Sequence, residues 1–188
     1  MAMGDAVLPG AIGARFLPSL PVMPAYWAHG MNPFHEPPTL LVLHSGARGD
    51  NVARYLANPL AREGDKGAIK CKDGRWRRQV GVHISASSQD GDFHSQAALD
   101  LSCWGARGSI CQGRGWVNGR AIQVELPAHE GAQLLESFRG MLGELVQVVP
   151  SLEAWTLHRW IKAKLDPVCW SDDRCREAME GAGLVEVR

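Results

Sequence analysis

Residues 39–46, TLLVLHSG, form a short apolar run that carries a histidine near its end and is closed by a serine and a glycine. Such a run is typical of a strand buried in the middle of a sheet. Polar residues that follow buried strands lie at the sheet edge where α/β proteins place functional groups. His44 is therefore the first candidate site residue.

The remaining sequence predicts further strands and several helices around this strand. Strands are predicted at 79–87, after the turn at Asp90 and Gly91, at 119–128, and within 153–160, where the strand ends at His158. Helices are predicted at 51–59 with Asp50 as the cap, at 131–149, and from Ser171 to the region of Gly181. The polar, glycine-rich segment 61–78 is predicted to be a surface excursion.

The composition indicates one globular domain. The chain has 188 residues, of which 45% are hydrophobic and 21% charged, and its 20 basic residues balance 20 acidic ones. A net charge of zero gives no reason to expect nucleic acid as a partner, and no apolar window is long enough for stable membrane insertion. The five cysteines contain no C-x-x-C pair, so reduced thiols are expected.

The N-terminal residues differ in composition from the rest of the chain. Residues 1–38 contain seven prolines, which predicts an extended N-terminal arm in front of a catalytic domain at 39–188. Asp5 stands where a signal peptide requires basic residues. The protein is therefore expected to be cytoplasmic in the cell that produces it.

A second candidate cluster lies in the segment HRWIKAKLDP, residues 158–167. Lys164 and Asp166 follow His158 by six and eight positions, and two histidines with one carboxylate are an established ligand set for zinc in hydrolases. The spacing alone favours a solvated charged pair on the surface, with the metal site as the alternative.

Glu125 is a carboxylate on the apolar strand AIQVEL, residues 121–126. The two-residue period of a strand places it opposite Val124 and Leu126 and on the same face as Gln123. A carboxylate in such surroundings needs a cationic partner, access to solvent or a catalytic task. A zinc hydrolase has such a task for it, because a proton must leave the attacking water.

These segments, in this order, resemble the zinc-dependent N-acetylmuramoyl-L-alanine amidases of the phage-lysozyme and peptidoglycan-recognition type, or amidase type 2. The resemblance covers about residues 39–170 and ends in the pattern H-x(5)-K-x-D-P. It implies a single α/β domain with a central mixed β-sheet flanked by helices. It also implies hydrolysis of the amide between N-acetylmuramic acid and L-alanine in bacterial peptidoglycan.

The same resemblance implies a role for each candidate residue. His44, His158 and Asp166 correspond to the ligands of Zn²⁺. Glu125 corresponds to the strand glutamate that transfers the proton, and Lys164 to the catalytic lysine that stabilises the oxyanion. Cys169 is a competing ligand, although it is out of register with the family pattern.

The sequence departs from the family at two places. A histidine that often follows a tryptophan in the family is replaced at Trp104 or Gly105, and a tyrosine used by some phage enzymes is replaced by Val82. His83 is expected to be structural, and His94 and His129 are expected at the surface.

Three functions are compatible with these features. The first is a peptidoglycan amidase. Such an amidase is expected to be a phage endolysin that acts on the cell wall after its release; the alternative role is that of a cellular wall-recycling enzyme. The second is a non-catalytic peptidoglycan-binding module of the same fold. The third is a zinc peptidase that acts on stem peptides.

Overall fold

Strand β1, Leu40–Ser45, is buried along its whole length between two parallel neighbours. The protein is represented by a computed structural model, which describes residues 15–23, 32–45, 51–57, 60–64, 68–71, 73–78, 81–106, 109–161 and 170–188. Around β1 the chain forms a six-stranded mixed sheet flanked by helices. The predicted α/β fold is confirmed.

The elements are arranged along the chain in this order: β1 Leu40–Ser45, α1 Val52–Ala57, β2 Ala68–Lys70, β3 Trp76–Arg78, β4 Ile84–Ala86, β5 Phe93–Ser95, β6 Ala121–Leu126, α2 Leu134–Val148, β7 Ala154–Leu157, α3 His158–Ile161, α4 Asp172–Met179 and β8 Val185–Glu186. The strand order in the main sheet is β5-β4-β6-β1-β7-β8. The β4–β5 pair is antiparallel and the other pairs are parallel. Strands β2 and β3 form a separate antiparallel ribbon.

The two faces of the main sheet differ in polarity. Leu41 and Leu43 of β1 and the even-numbered residues of β6 are apolar and pack with α2 and α4 in the main core. The opposite face carries a smaller apolar cluster around Leu40, Val42 and Ala121. Polar side chains come after that cluster on the same face, towards the carboxyl ends of the strands: Gln123, Glu125, His44, Thr156 and His158.

Helix α2 covers the apolar face of the sheet. Its buried residues are Leu134, Phe138, Met141, Leu142 and Leu145, which recur at helical spacing. The ring of Phe138 meets that of Trp170 edge-on, with centroids 5.5 Å apart. The predicted apolar stripe of this helix is therefore confirmed.

Parts of the proline-rich segment pack on the sheet. Leu17 is buried in the main core, and Phe34 is stacked on the imidazole of His83 at a centroid distance of 5.9 Å. Pro33 forms an isolated bridge with Leu101. These contacts hold the described parts of the segment that precedes β1 against the rest of the domain.

Several predicted boundaries are corrected. The side chain of Asn51 accepts the backbone N–H of Arg54 and so begins α1, whereas Asp50 lies outside the described residues. The surface segment 61–78 contains the β2–β3 ribbon. Of the described residues in the strand predicted at 79–87, which are 81–87, only 84–86 form β4. His158 begins helix α3 instead of ending a strand.

Two further predictions agree with the structure. Ser171 caps α4, because its hydroxyl accepts the backbone N–H of Arg174. Four of the cysteines, Cys71, Cys103, Cys111 and Cys175, are buried and are not part of a disulfide. In the described part of the chain the longest helix, α2, has 15 residues, and no helix there is long and apolar enough to cross a bilayer.

Candidate metal and catalytic site

Side chains from neighbouring strands form a polar row across the sheet. The parallel register pairs His44 of β1 with Glu125 of β6, and Glu125 with Ser85 of β4. His158 extends the row on the other side, because it comes directly after Leu157, the partner of Leu43. Paired residues on adjacent strands project from the same face of a sheet. The row therefore brings together residues that are far apart in the sequence.

His44 and His158 face each other through the same ring nitrogen. Their Nδ1 atoms lie 3.1 Å apart, and the two side chains are almost fully buried, with 3% and 1% exposure. Two imidazole nitrogens at this distance share either a proton or a cation, because two lone pairs would repel each other.

The histidine pair also fits a zinc site. Two nitrogens bound to one tetrahedral zinc at about 2.0–2.1 Å lie about 3.3 Å apart, close to the 3.1 Å that separates the two Nδ1 atoms. The other nitrogen of His44, Nε2, lies 3.1 Å from Oε1 of Gln123. Nδ1 of His44 is therefore the nitrogen that faces the second histidine.

The other predicted ligands lie beyond the described residues. Lys164, Asp166 and Cys169 belong to segment 162–169, of whose structure nothing is described. Within the described ranges no group of three His, Cys, Asp or Glu side chains is placed to hold a metal ion. The structure therefore brings together the two histidines, and the third ligand remains a prediction from the sequence.

Glu125 occupies the predicted face of β6. It is half-buried, whereas its neighbours Val124 and Leu126 are fully buried on the opposite face. In the polar row, Glu125 lies between His44 and Ser85. The hydroxyl of Ser85 is buried and has no hydrogen-bond partner within the described residues. A carboxylate that keeps some solvent access beside the buried imidazole of His44 is suited to accept and release a proton.

His83 is structural, as the sequence predicted. Its Nε2 lies 2.7 Å from the carbonyl oxygen of Leu101, and its Nδ1 lies 3.0 Å from the backbone nitrogen of Gln123. Burial lowers the pKa of His83 to about 4, although the hydrogen bond to Leu101 acts in the opposite direction. Both nitrogens are engaged by backbone groups, which leaves neither of them for a metal.

Gln123 is a functional candidate that the sequence reasoning missed. Its side chain reaches Nε2 of His44 and also donates from its own Nε2 to the carbonyl oxygen of Cys103 and to Oδ1 of Asn118, at 2.9 and 3.0 Å. The sequence did indicate that Gln123 lies on the same face of β6 as Glu125. It did not indicate which histidine the amide of Gln123 would contact.

Gly105 explains one departure from the family pattern. A Cβ atom at this position would lie 2.1 Å from Oε1 of Gln123, which is far inside van der Waals contact. The amide of Gln123 therefore occupies the space that a larger residue at position 105 would need.

A groove lies on the same side of the sheet. Its cavity volume is about 380 Å³, and it is lined by Phe34, Trp104 and Trp116 together with polar groups such as Asn118. Trp116 is 72% exposed and has a left-handed backbone with φ of 53°. Asn118 links the groove to Gln123, and through Gln123 to His44.

Comparisons of sequence and of structure give different results. No protein-family model matches the chain, and a search of curated protein sequences finds no match. Among solved structures, a selenomethionine derivative of AmpD is similar with a TM-score of 0.66 and 20% identity, covering 90% of this chain and 99% of that one. This identity is low, so the likeness concerns the fold.

Two other structures are similar over most of their length. The endolysin N-acetylmuramoyl-L-alanine amidase LysCS from Clostridium intestinale URNW has a TM-score of 0.57 and 14% identity, covering 92% of this chain and 99% of that one. A point mutant of Drosophila PGRP-LB in complex with tracheal cytotoxin has a TM-score of 0.51 and 8% identity, covering 87% of this chain and 92% of that one. The chain thus has the fold shared by N-acetylmuramoyl-L-alanine amidases and a peptidoglycan-recognition protein.

Proposed function

We propose that the protein is a zinc hydrolase that cleaves the amide bond between N-acetylmuramic acid and L-alanine in bacterial peptidoglycan. The observation that carries the proposal is the buried pair of Nδ1 atoms of His44 and His158, with Glu125 next to His44 in the sheet register. The fold shared with amidases supports it. The sequence pattern around Lys164 and Asp166 supports it independently.

The metal would be held by His44, His158 and Asp166. Three protein ligands leave one position open, as is usual for catalytic zinc. Bound there, zinc would act as a Lewis acid on the scissile carbonyl group and make water a better nucleophile near neutral pH. Asp166 enters the set from the sequence pattern, because segment 162–169 lies outside the described residues.

Glu125 would move the proton. Its carboxylate is half-buried beside His44, so it can accept a proton from the attacking water and deliver it to the nitrogen of the leaving L-alanine. Val82, which stands where some phage enzymes have a tyrosine, has no proton to transfer, so the whole transfer falls to Glu125. Replacing Glu125 by glutamine would keep the shape of the side chain and remove its basicity.

Lys164 would stabilise the negative charge that develops on the carbonyl oxygen of the substrate. The loss of one such donor lowers kcat by about 100- to 1,000-fold in other hydrolases. Lys164 is not a proposed metal ligand, so Lys164→Met should retain zinc. This combination of retained metal and lost activity separates its role from those of the histidines.

The proposal is tested by incubating the purified protein with zinc and peptidoglycan, and analysing the released material by mass spectrometry. Stem peptides with a free N-terminal L-alanine are the expected product. His158→Ala and Glu125→Gln should abolish their release, whereas Gln147→Ala, an exposed position on α2, should not change it. Of the first two variants, only His158→Ala should also lose zinc.

The same digest distinguishes the other two functions. A zinc peptidase would release fragments cut within the stem peptide, with L-alanine still attached to the sugar. A recognition module would sediment with peptidoglycan, contain no zinc and release nothing. Either result would overturn the amidase proposal.

We extend the proposal to the role of a phage endolysin that reaches the cell wall after release. The fold similarity to the endolysin LysCS is the structural support for this role. An endolysin should solubilise intact peptidoglycan sacculi. A wall-recycling enzyme should instead act on soluble muropeptides and leave sacculi almost untouched, so parallel assays on both substrates decide between the two roles.

A further inference from the structure

The hydrogen bonds around Gln123 define the orientation of its amide group. The backbone N–H of Ala106 can only donate, so the atom of Asn118 that it contacts at 2.9 Å is the acceptor Oδ1. The carbonyl oxygen of Cys103 can only accept, so the atom of Gln123 that lies 2.9 Å from it is the donor Nε2. Two backbone groups thus anchor both amides in one orientation.

This orientation leaves one choice for His44. Because Nε2 of Gln123 donates to Cys103 and Asn118, its Oε1 is the atom that faces His44 at 3.1 Å, and an amide oxygen can only accept. His44 must then carry its proton on Nε2. A neutral imidazole with that proton has its lone pair on Nδ1, which is the atom that faces His158.

We propose that Gln123 is a positioning residue that fixes His44 in the tautomer whose Nδ1 binds the metal. The inference rests on the proposed function, because it takes His44 as a zinc ligand. Its physical basis is that the hydrogen bond on one ring nitrogen decides which nitrogen is free to bind a metal, and such partners typically change metal affinity about 10- to 100-fold.

The position of Gln123 is itself enforced by packing. Its side chain is fully buried, and the absence of a side chain at Gly105 provides the space for its Oε1 atom. Gly105→Ala would place a methyl group 2.1 Å from that oxygen, so the amide that accepts from His44 would have to shift. This variant therefore disturbs the hydrogen bond without changing Gln123 itself.

The experiment measures tautomer and metal affinity separately. Long-range ¹H–¹⁵N NMR of the metal-free wild type reports which nitrogen of His44 is protonated, with His44→Ala used for assignment. Competition with a chromophoric chelator then gives the zinc affinity of the wild type, Gln123→Leu and Gly105→Ala. Thr156→Val is the matched control, because it removes another buried polar group from the same face at a position paired with Val42 and not with His44.

The expected results are a proton on Nε2 of His44, zinc binding that is at least 10-fold weaker in Gln123→Leu and Gly105→Ala, and unchanged binding in Thr156→Val. Gln123→Glu, which keeps an acceptor for His44, should bind zinc more tightly than Gln123→Leu. A proton on Nδ1 of His44 in the wild type would overturn the inference whether or not any variant folds. Equal zinc affinity of Gln123→Leu and the wild type would also overturn it.

Failure of the proposed function gives a different result. If His44→Ala bound zinc as tightly as the wild type, His44 would not be a ligand and the proposed zinc site would be wrong. If His44→Ala lost zinc while Gln123→Leu kept it, only the role of Gln123 would be wrong.

Discussion

His83 and Gln123 exchange two hydrogen bonds between the segment before β4 and strand β6. The backbone N–H of His83 donates to the carbonyl oxygen of Gln123 at 2.9 Å, and the backbone N–H of Gln123 donates to Nδ1 of His83 at 3.0 Å. Only a neutral His83 can accept on Nδ1 while its Nε2 donates to the carbonyl oxygen of Leu101. Protonation of His83 would therefore break a connection next to the candidate site.

The first prediction concerns stability at acid pH. Burial lowers the pKa of His83 from 6.5 to about 4, so between these values the unfolded chain binds a proton that the folded chain does not. Stability from this residue is thus fully present above pH 6.5 and is lost as the pH falls towards 4. A shift of this size corresponds to about 3 kcal/mol.

Urea unfolding at about pH 7 and about pH 4.5 measures this effect. His83→Gln should be less stable than the wild type at the higher pH, and its free energy of unfolding should fall less on acidification because the buried titrating group is gone. The same pH dependence in both proteins would show that His83 does not contribute to the acid sensitivity.

The second prediction is that two glycines in α2 lower the stability of the protein. A Cβ atom at Gly140 or Gly143 would meet no atom within 4 Å. Replacement by alanine should therefore stabilise the helix by about 0.5–1 kcal/mol at each site, because alanine loses less backbone entropy on folding. In thermal unfolding, the melting temperature should rise by about 2–4 °C for each kcal/mol of added stability.

Gly91 is the matched contrast to these glycines. Its φ is +78°, and a Cβ atom there would lie 2.7 Å from Cδ1 of Leu134. Gly91→Ala should therefore lower the melting temperature. If Gly140→Ala lowered it as well, the described environment of α2 would be incorrect.

The third prediction tests the core on the apolar face. Phe138 is fully buried and contacts the rings of Phe93 and Trp170. Phe138→Ala should reduce the free energy of unfolding by about 3–5 kcal/mol, because it removes apolar contacts and leaves a cavity. Gln147→Ala on the exposed side of α2 should change it by less than about 0.5 kcal/mol.

The fourth prediction concerns the thiols. Cys71, Cys103, Cys111 and Cys175 are buried, and burial raises the pKa of Cys103 well above its usual range. Because the thiolate is the reactive form, these four thiols should react with Ellman's reagent only after unfolding. Rapid modification of more than one thiol in the native protein would contradict their burial, since Cys169 alone lies outside the described residues.

Elements with a strong local pattern were predicted closely from the sequence. The apolar run 39–46 corresponds to β1 at Leu40–Ser45, and the apolar stripe predicted within 131–149 corresponds to α2 at Leu134–Val148. The β2–β3 ribbon and β8 have strands of two or three residues, too short for any periodicity to show. Such short strands form because a neighbouring strand is present to pair with them, and the sequence does not reveal which strand that is.

The candidate site was predictable to a different degree. His44 and Glu125 could be placed on their strands by local pattern, and their adjacency depends on the pairing of β1 with β6. The contact between Gln123 and His44 depends further on the carbonyl oxygen of Cys103 and the backbone N–H of Ala106, both in a loop without regular structure. No periodic pattern encodes the direction of those backbone groups.

The position of β1 also has a consequence for the order of folding. Residue 40 is paired with residues 121 and 154, so both neighbours of the central strand come from the last 70 residues of the chain. During synthesis this apolar strand must remain without either neighbour until residues 121–126 and then 154–157 have left the ribosome, and an open apolar strand is prone to aggregate. We expect the two histidines to meet late, so that a growing chain lacks the candidate site until β7 has been made.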